Sequence, residues 1–141
     1  MRVAALTTNI AIFALFLLSG CAQKTGDSDD GEACTSSAQG NKVYITVTYD
    51  AGAPSVSPAD CYVLKGTQVT LRTDPPGPKG AFDIEFKQQS ASGPDAPKKL
   101  HSEQGNSNRQ RIKLKADNEK GTYGYTIIAN GIPVDPAIII Q

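Results

Sequence analysis

Apolar and polar positions divide the 141-residue chain into three regimes. An apolar block begins at Val3, is interrupted by Thr7, Thr8 and Asn9, and is densest over residues 11–18. Residues 22–40 are small and polar, with almost no large apolar side chain, which is the composition of a flexible linker. From Asn41 onward, short stretches alternate apolar and polar residues with period two, the spacing of half-buried strands. Residues 43–49 give the clearest case, with Val43, Ile45, Val47 and Tyr49 on one face and Tyr44, Thr46 and Thr48 on the other. Residues 61–64 and 67–72 predict two strands about a Lys65-Gly66 turn, and Phe82, Ile84 and Phe86 alternate with Asp83, Glu85 and Lys87. Residues 121–129 predict a further strand, closed by Asn130-Gly131, the strongest two-residue hairpin signal. The return segment carries Pro133 and Pro136, which suit an edge or an irregular entry, before Ile138-Ile139-Ile140, an apolar run that must be covered.

Between these segments, residues 50–60 and 74–80 read as loops from their Pro and Gly content. Residues 88–108 form a polar run without periodicity that holds His101, the only histidine. A loop of about twenty residues in a compact domain is either functional or disordered, and a solvated loop with an incidental histidine is the simpler reading. In residues 109–115, Arg109, Arg111, Lys113 and Lys115 share one strand face, with Gln110, Ile112 and Leu114 on the other. Such a stripe suits anionic headgroups or a sugar-phosphate surface. It equally serves to keep a sheet edge from pairing with strangers, and the sequence favours that structural role. Seven short strands over residues 41–141, with no repeat and no helix of normal length, predict an all-β, antiparallel sandwich.

The apolar block changes the picture of the whole chain. Arg2 precedes it, and about ten strongly apolar residues fall well short of the roughly 20 a spanning helix needs. It ends in Leu18-Ser19-Gly20-Cys21, which resembles the lipobox of bacterial lipoproteins. The resemblance implies a signal peptide over residues 1–20, cleavage before Cys21, and acylation of its sulfur and new amino terminus. An ordinary secretory signal that leaves Cys21 free is the alternative. One acyl chain binds a membrane marginally and two or more bind stably, so a lipidated Cys21 needs no basic patch to stay put. Ala22 stands where Asp implies inner-membrane retention. The resemblance therefore implies the periplasmic face of the outer membrane, in a two-membrane cell.

Processing at that site leaves 121 residues, enough for one domain. Charge excludes little: Asp27, Asp29, Asp30 and Glu32 crowd the linker, and from Asn41 onward twelve Lys/Arg oppose ten Asp/Glu. Neither part is basic enough to suggest nucleic acid. With Cys21 assigned to lipid, Cys34 and Cys61 form an even pair in an exported chain and read as a disulfide, worth about 3 to 4 kcal/mol by chain entropy. Two free thiols or a thiolate metal site is the alternative, without a histidine nearby.

Gly121-x-Tyr123-x-Tyr125, following the alternating strand 82–86, resembles the cupredoxin family across most of residues 41–140. The resemblance implies a Greek-key sandwich. Its copper-ligand positions would fall near Phe82, Ile127, Asn130 and Asp135, none able to supply a thiolate and two imidazoles. A cupredoxin-derived metal or redox protein stays an alternative reading, but no cofactor is implied. His101 has no Gly-x-Ser-x-Gly elbow, Asp50 and Asp60 merely share a loop, and no phosphate-cradling Gly-rich loop appears. These residues predict a non-catalytic envelope domain whose loops meet other envelope proteins or glycans. A small apolar ligand in the sandwich interior is a further possibility, for which Phe82, Tyr123 or Ile127 would line the pocket.

Overall fold

The computed structural model describes residues 30–50, 52–74, 80–105 and 108–141. Cys21 and the apolar block before it lie outside the described residues. The strands are β1 (Glu32–Ala33), β2 (Lys42–Asp50), β3 (Ala53–Ser57), β4 (Asp60–Val63), β5 (Gln68–Thr73) and β6 (Asp83–Phe86). They continue as β7 (Lys99–His101), β8 (Glu103–Gln104), β9 (Gln110–Lys115), β10 (Gly121–Ala129), β11 (Ile132–Val134) and β12 (Ala137–Ile140).

The described residues form an all-β sandwich. Sheet 1 runs β1-β2-β5-β9-β8, with β3 also on β2; sheet 2 runs β4-β12-β10-β6-β7, with β11 also on β10. Period-two alternation sets the core: Val43, Ile45, Val47, Val69, Leu71, Ile112 and Leu114 from sheet 1 meet Ile84, Phe86, Tyr125, Ile127, Ile138 and Ile140 from sheet 2, all buried. Register aligns these residues in rows, Val43 beside Val69 beside Leu114 and Ile45 beside Leu71 beside Ile112.

The sheets are mixed rather than antiparallel. β1 and β5 both run parallel to β2, and β12 runs parallel to β4. After β3 the chain makes β4 in sheet 2 before it returns as β5, and that crossing delivers β5 parallel to β2. The described residues hold twelve strands where about seven were expected. The additions fall in stretches read as loop. β3 occupies residues 53–57 with Pro54 inside it, on the edge beside β2, where a missing N–H is tolerated. β7 and β8 arise within the polar run 88–108, and the return after the hairpin makes two strands, β11 and β12. Asn130 and Gly131 both take positive φ, 51° and 75°, as the expected hairpin turn requires. Ile138 and Ile140 are covered because β12 is interior, between β4 and β10.

The linker reading over residues 21–40 fails from Asp30 onward. β1 pairs with β2, and Cys34 N–H donates to Tyr44 C=O at 2.8 Å. The chain then crosses to sheet 2, where Gln39 C=O accepts from Leu64 N–H at 2.8 Å beside β4. Backbone bonding, not apolar burial, orders this segment, so its composition looks like linker. Cys34 and Cys61 form a disulfide, 5.7 Å between Cα atoms, that joins this strap to β4. Near the start of β10 the Tyr123 hydroxyl donates to Glu119 C=O at 2.6 Å, as in the tyrosine corner of Greek-key sandwiches.

Candidate functional site

The outer face of sheet 1 carries most of the charge that alternation turns away from the core. Register sets it in three rows: Lys42–Gln68–Lys115, Tyr44–Thr70–Lys113 and Thr46–Arg72–Arg111. Thr70 is fully buried and Arg72 is 3% exposed, although both point away from the core. Asp30, itself 1% exposed, lies against Arg72. Arg72 Nη1 donates to Asp30 Oδ2 at 3.0 Å and Arg111 Nη1 donates to Oδ1 at 3.3 Å, with Lys113 Nζ at 4.0 Å. The Arg72 guanidinium carbon also lies 3.5 Å from the Tyr44 ring centroid, a cation–π contact. The Asp30 carboxylate therefore supplies the counter-charge that the desolvated Arg72 guanidinium needs, and Arg111 shares it.

Two glycines admit this arrangement. Gly31 takes φ +85°, and a Cβ on it would fall 2.1 Å from Lys42 C=O. At Gly105 the Arg111 Nε lies 1.8 Å from where a Cβ would sit. Both are places where backbone or guanidinium packs against bare Cα.

Two concavities flank the cluster. A cavity of about 530 Å³ opens on the first row, among Lys42, Gln68, Lys113, Leu114 and Lys115. Another, of about 440 Å³, lies where β7, β8 and β9 meet, among Leu100, His101, Glu103, Gln104, Arg111 and Lys113. There His101 Nδ1 pairs with Asp83 Oδ1, and Lys99 Nζ lies 3.4 Å from Asp83 Oδ2. The hydrogen bond from His101, then Lys99, holds the Asp83 carboxyl below the usual carboxylate range. The adjacent Ser102 hydroxyl is committed elsewhere: it accepts from Phe82 N–H at 2.8 Å and donates to Gln110 at 3.1 Å.

No protein family and no curated protein matches the chain.

The residues singled out from sequence are placed unevenly. Cys21 lies outside the described residues, and Cys34 and Cys61 are joined. Register gathers the four copper-related positions in one region of sheet 2, where β10 pairs with β6 and β11, but their side chains divide between core and surface. Phe82 and Ile127 are buried in the core, Asn130 is exposed in the hairpin turn, and Asp135 is on the surface, bonded to Thr126 at 2.7 Å and paired with Lys87 at 3.1 Å. Among the described residues no three His, Cys, Asp or Glu side chains gather as a metal cluster.

The cation stripe divides. β9 is interior, but β8 pairs with Gln110 and Arg111, and among the described residues no strand pairs on that side with residues 112–115, where Lys113 and Lys115 suit the protective role. Arg111 belongs to the Asp30 cluster instead. Arg109 precedes β9 and is 9% exposed, its Nε and Nη1 without a hydrogen-bond partner. Sequence reading missed Asp30 and Arg72 as a pair. The available signal was faint: Arg72 alternates outward from Val69 and Leu71, and Asp30 is one of four linker acids.

Proposed function

We propose that this chain is a bacterial lipoprotein, anchored through acylated Cys21, whose sandwich is a non-catalytic interaction or structural domain of the cell envelope. The observation that carries the reading is Leu18-Ser19-Gly20-Cys21 placed directly after the apolar block. The cysteine arithmetic supports it. Of three cysteines, two are joined in the Cys34–Cys61 disulfide, so Cys21 is the thiol left for lipid. A disulfide of this kind also belongs to an oxidising compartment outside the cytosol. In a two-membrane cell Ala22 directs the anchor to the periplasmic face of the outer membrane, where other envelope proteins or glycans meet the domain.

Mass spectrometry of the processed polypeptide from a bacterial host tests this reading. The expected amino terminus is Cys21 carrying a diacylglyceryl group and an amide-linked acyl chain. An unmodified start, or residues 1–20 still attached, overturns it. Crosslinking in intact cells is then expected to trap an envelope component on the domain, and recovery of none overturns the interaction role.

A further inference from the structure

The Asn130-Gly131 turn brings a carboxamide, an unhindered neighbouring amide and open solvent to one place. Asn-Gly occurs once in the chain. Asn130 is exposed, and nothing lies within 4 Å of where a Cβ on Gly131 would sit. Among the described residues no group accepts a hydrogen bond from the Gly131 N–H. The Asn130 side chain bonds through Nδ2 to Gly52 C=O at 3.2 Å. That bond latches the hairpin tip to the turn between β2 and β3, and β3 in turn touches β10 and β11.

We propose that Asn130 is a site of spontaneous deamidation and that the reaction releases this latch. The Gly131 nitrogen, once its proton passes to solvent base, bonds to Cγ of Asn130. The Cγ–Nδ2 bond breaks and Nδ2 leaves as ammonia, closing a succinimide ring. Water then adds to either ring carbonyl. Opening at Cγ gives aspartate; opening at the main-chain carbonyl gives isoaspartate, whose backbone runs through Cβ and Cγ. Nothing is oxidised or reduced, and water is the co-reactant. Glycine at the second position permits ring closure, because it lets the backbone reach the conformation the attack needs and puts no side chain in the way. Either product sets a carboxylate where the Nδ2 donor was, so its oxygens repel Gly52 C=O instead of bonding to it. Isoaspartate also lengthens a two-residue turn whose length fixes the register of β10 on β11.

The structure separates this site from the other places where the same ring could close. Asp30-Gly31 has the same spacing, but the Asp30 carboxylate is buried and bonded to Arg72 and Arg111, and Lys42 C=O crowds Gly31. Asn118 is buried, and its Nδ2 donates to Gln89 Oε1 at 3.3 Å and Ser90 C=O at 3.1 Å. Asn41 and Asn108 are followed by Lys42 and Arg109, whose side chains hinder the attack.

The test ages the folded chain in mildly alkaline buffer and maps its peptides by mass spectrometry, with electron-transfer fragmentation to tell isoaspartate from aspartate. Asn130 is expected to convert at least several-fold faster than Asn41, Asn108 and Asn118, and faster again as pH rises, while Asp30 stays unchanged. An Asn130 that ages no faster than those three overturns the site. Hydrogen exchange of the fresh parent is then compared with that of Asn130→Asp. Exchange over β3 is expected to rise several-fold in the variant, with the amides of β5 and β9 unmoved. Equal exchange over β3 in the two proteins overturns the release of the latch.

Discussion

Asp30 shows how much one side chain carries when it is a buried carboxylate bonded to a buried guanidinium group, that of Arg72, and to Arg111 beside it. Its own side chain is 1% exposed and that of Arg72 is 4% exposed, so neither has water to fall back on. Asp30→Asn is expected to lower stability by about 3–5 kcal/mol, because it strands a buried charge rather than deleting a contact. The double variant Asp30→Asn with Arg72→Met is expected to recover part of that loss, and urea midpoints of the two proteins check the order. Surface carboxylates behave differently. Asp135, bonded to Thr126 and Lys87, and Asp83, bonded to His101 and Lys99, are both held below the usual carboxylate range. A folded-state value below the unfolded one stabilises the fold above about pH 4 and loses that contribution as pH falls through the depressed value. The urea midpoint is therefore expected to hold from neutral pH to about 5 and to decline below 4. His101→Ala is expected to move the Asp83 titration back toward that of an ordinary aspartate, which carbon-detected NMR reads directly.

At the scale of elements, legibility followed the origin of order. β2, β5, β6 and β10 were readable because their inward residues are apolar at period two, and the Asn130-Gly131 turn because only a few residues tolerate its positive φ. β1, β3, β7 and β8 were not, since backbone pairing with a longer neighbour holds them and leaves little mark on composition. The strap 30–39 is the extreme case. Its buried members are a carboxylate and a half-cystine, and its hydrogen bonds are made by main chain to β2 and β4. Parallel pairing of β5 on β2 was likewise hidden, because alternation says which face is buried and nothing about strand direction. The strap makes a specific demand at Gly31, whose φ of +85° and contact with Lys42 C=O exclude a side chain. Gly31→Ala is expected to cost about 1–3 kcal/mol and to raise hydrogen exchange at Cys34 N–H ahead of the core. Gly105→Ala is expected to lower stability as well, because its methyl would displace the Arg111 guanidinium from its bond to Asp30.

For the whole molecule, the lipoprotein reading proposed above divides the cysteines between what folds the domain and what would hold it in place. The Cys34–Cys61 bridge spans 27 residues of sequence and ties the strap of sheet 1 to β4 of sheet 2. Opening it is expected to lower stability by about 3 to 4 kcal/mol, chiefly by freeing the unfolded chain. Cys21 stands nine positions before Asp30 and takes no part in that bridge. Cys21→Ser is therefore expected to leave the urea midpoint within about 0.5 kcal/mol of the parent while it moves the protein from the membrane pellet to the soluble fraction. Cys34→Ser with Cys61→Ser is expected to do the reverse, staying with the membrane and unfolding at lower urea. Only a chain in which anchor and fold are physically independent gives that crossed pattern. A Cys21→Ser protein that stays with the membrane would mean that something other than acyl chains retains it.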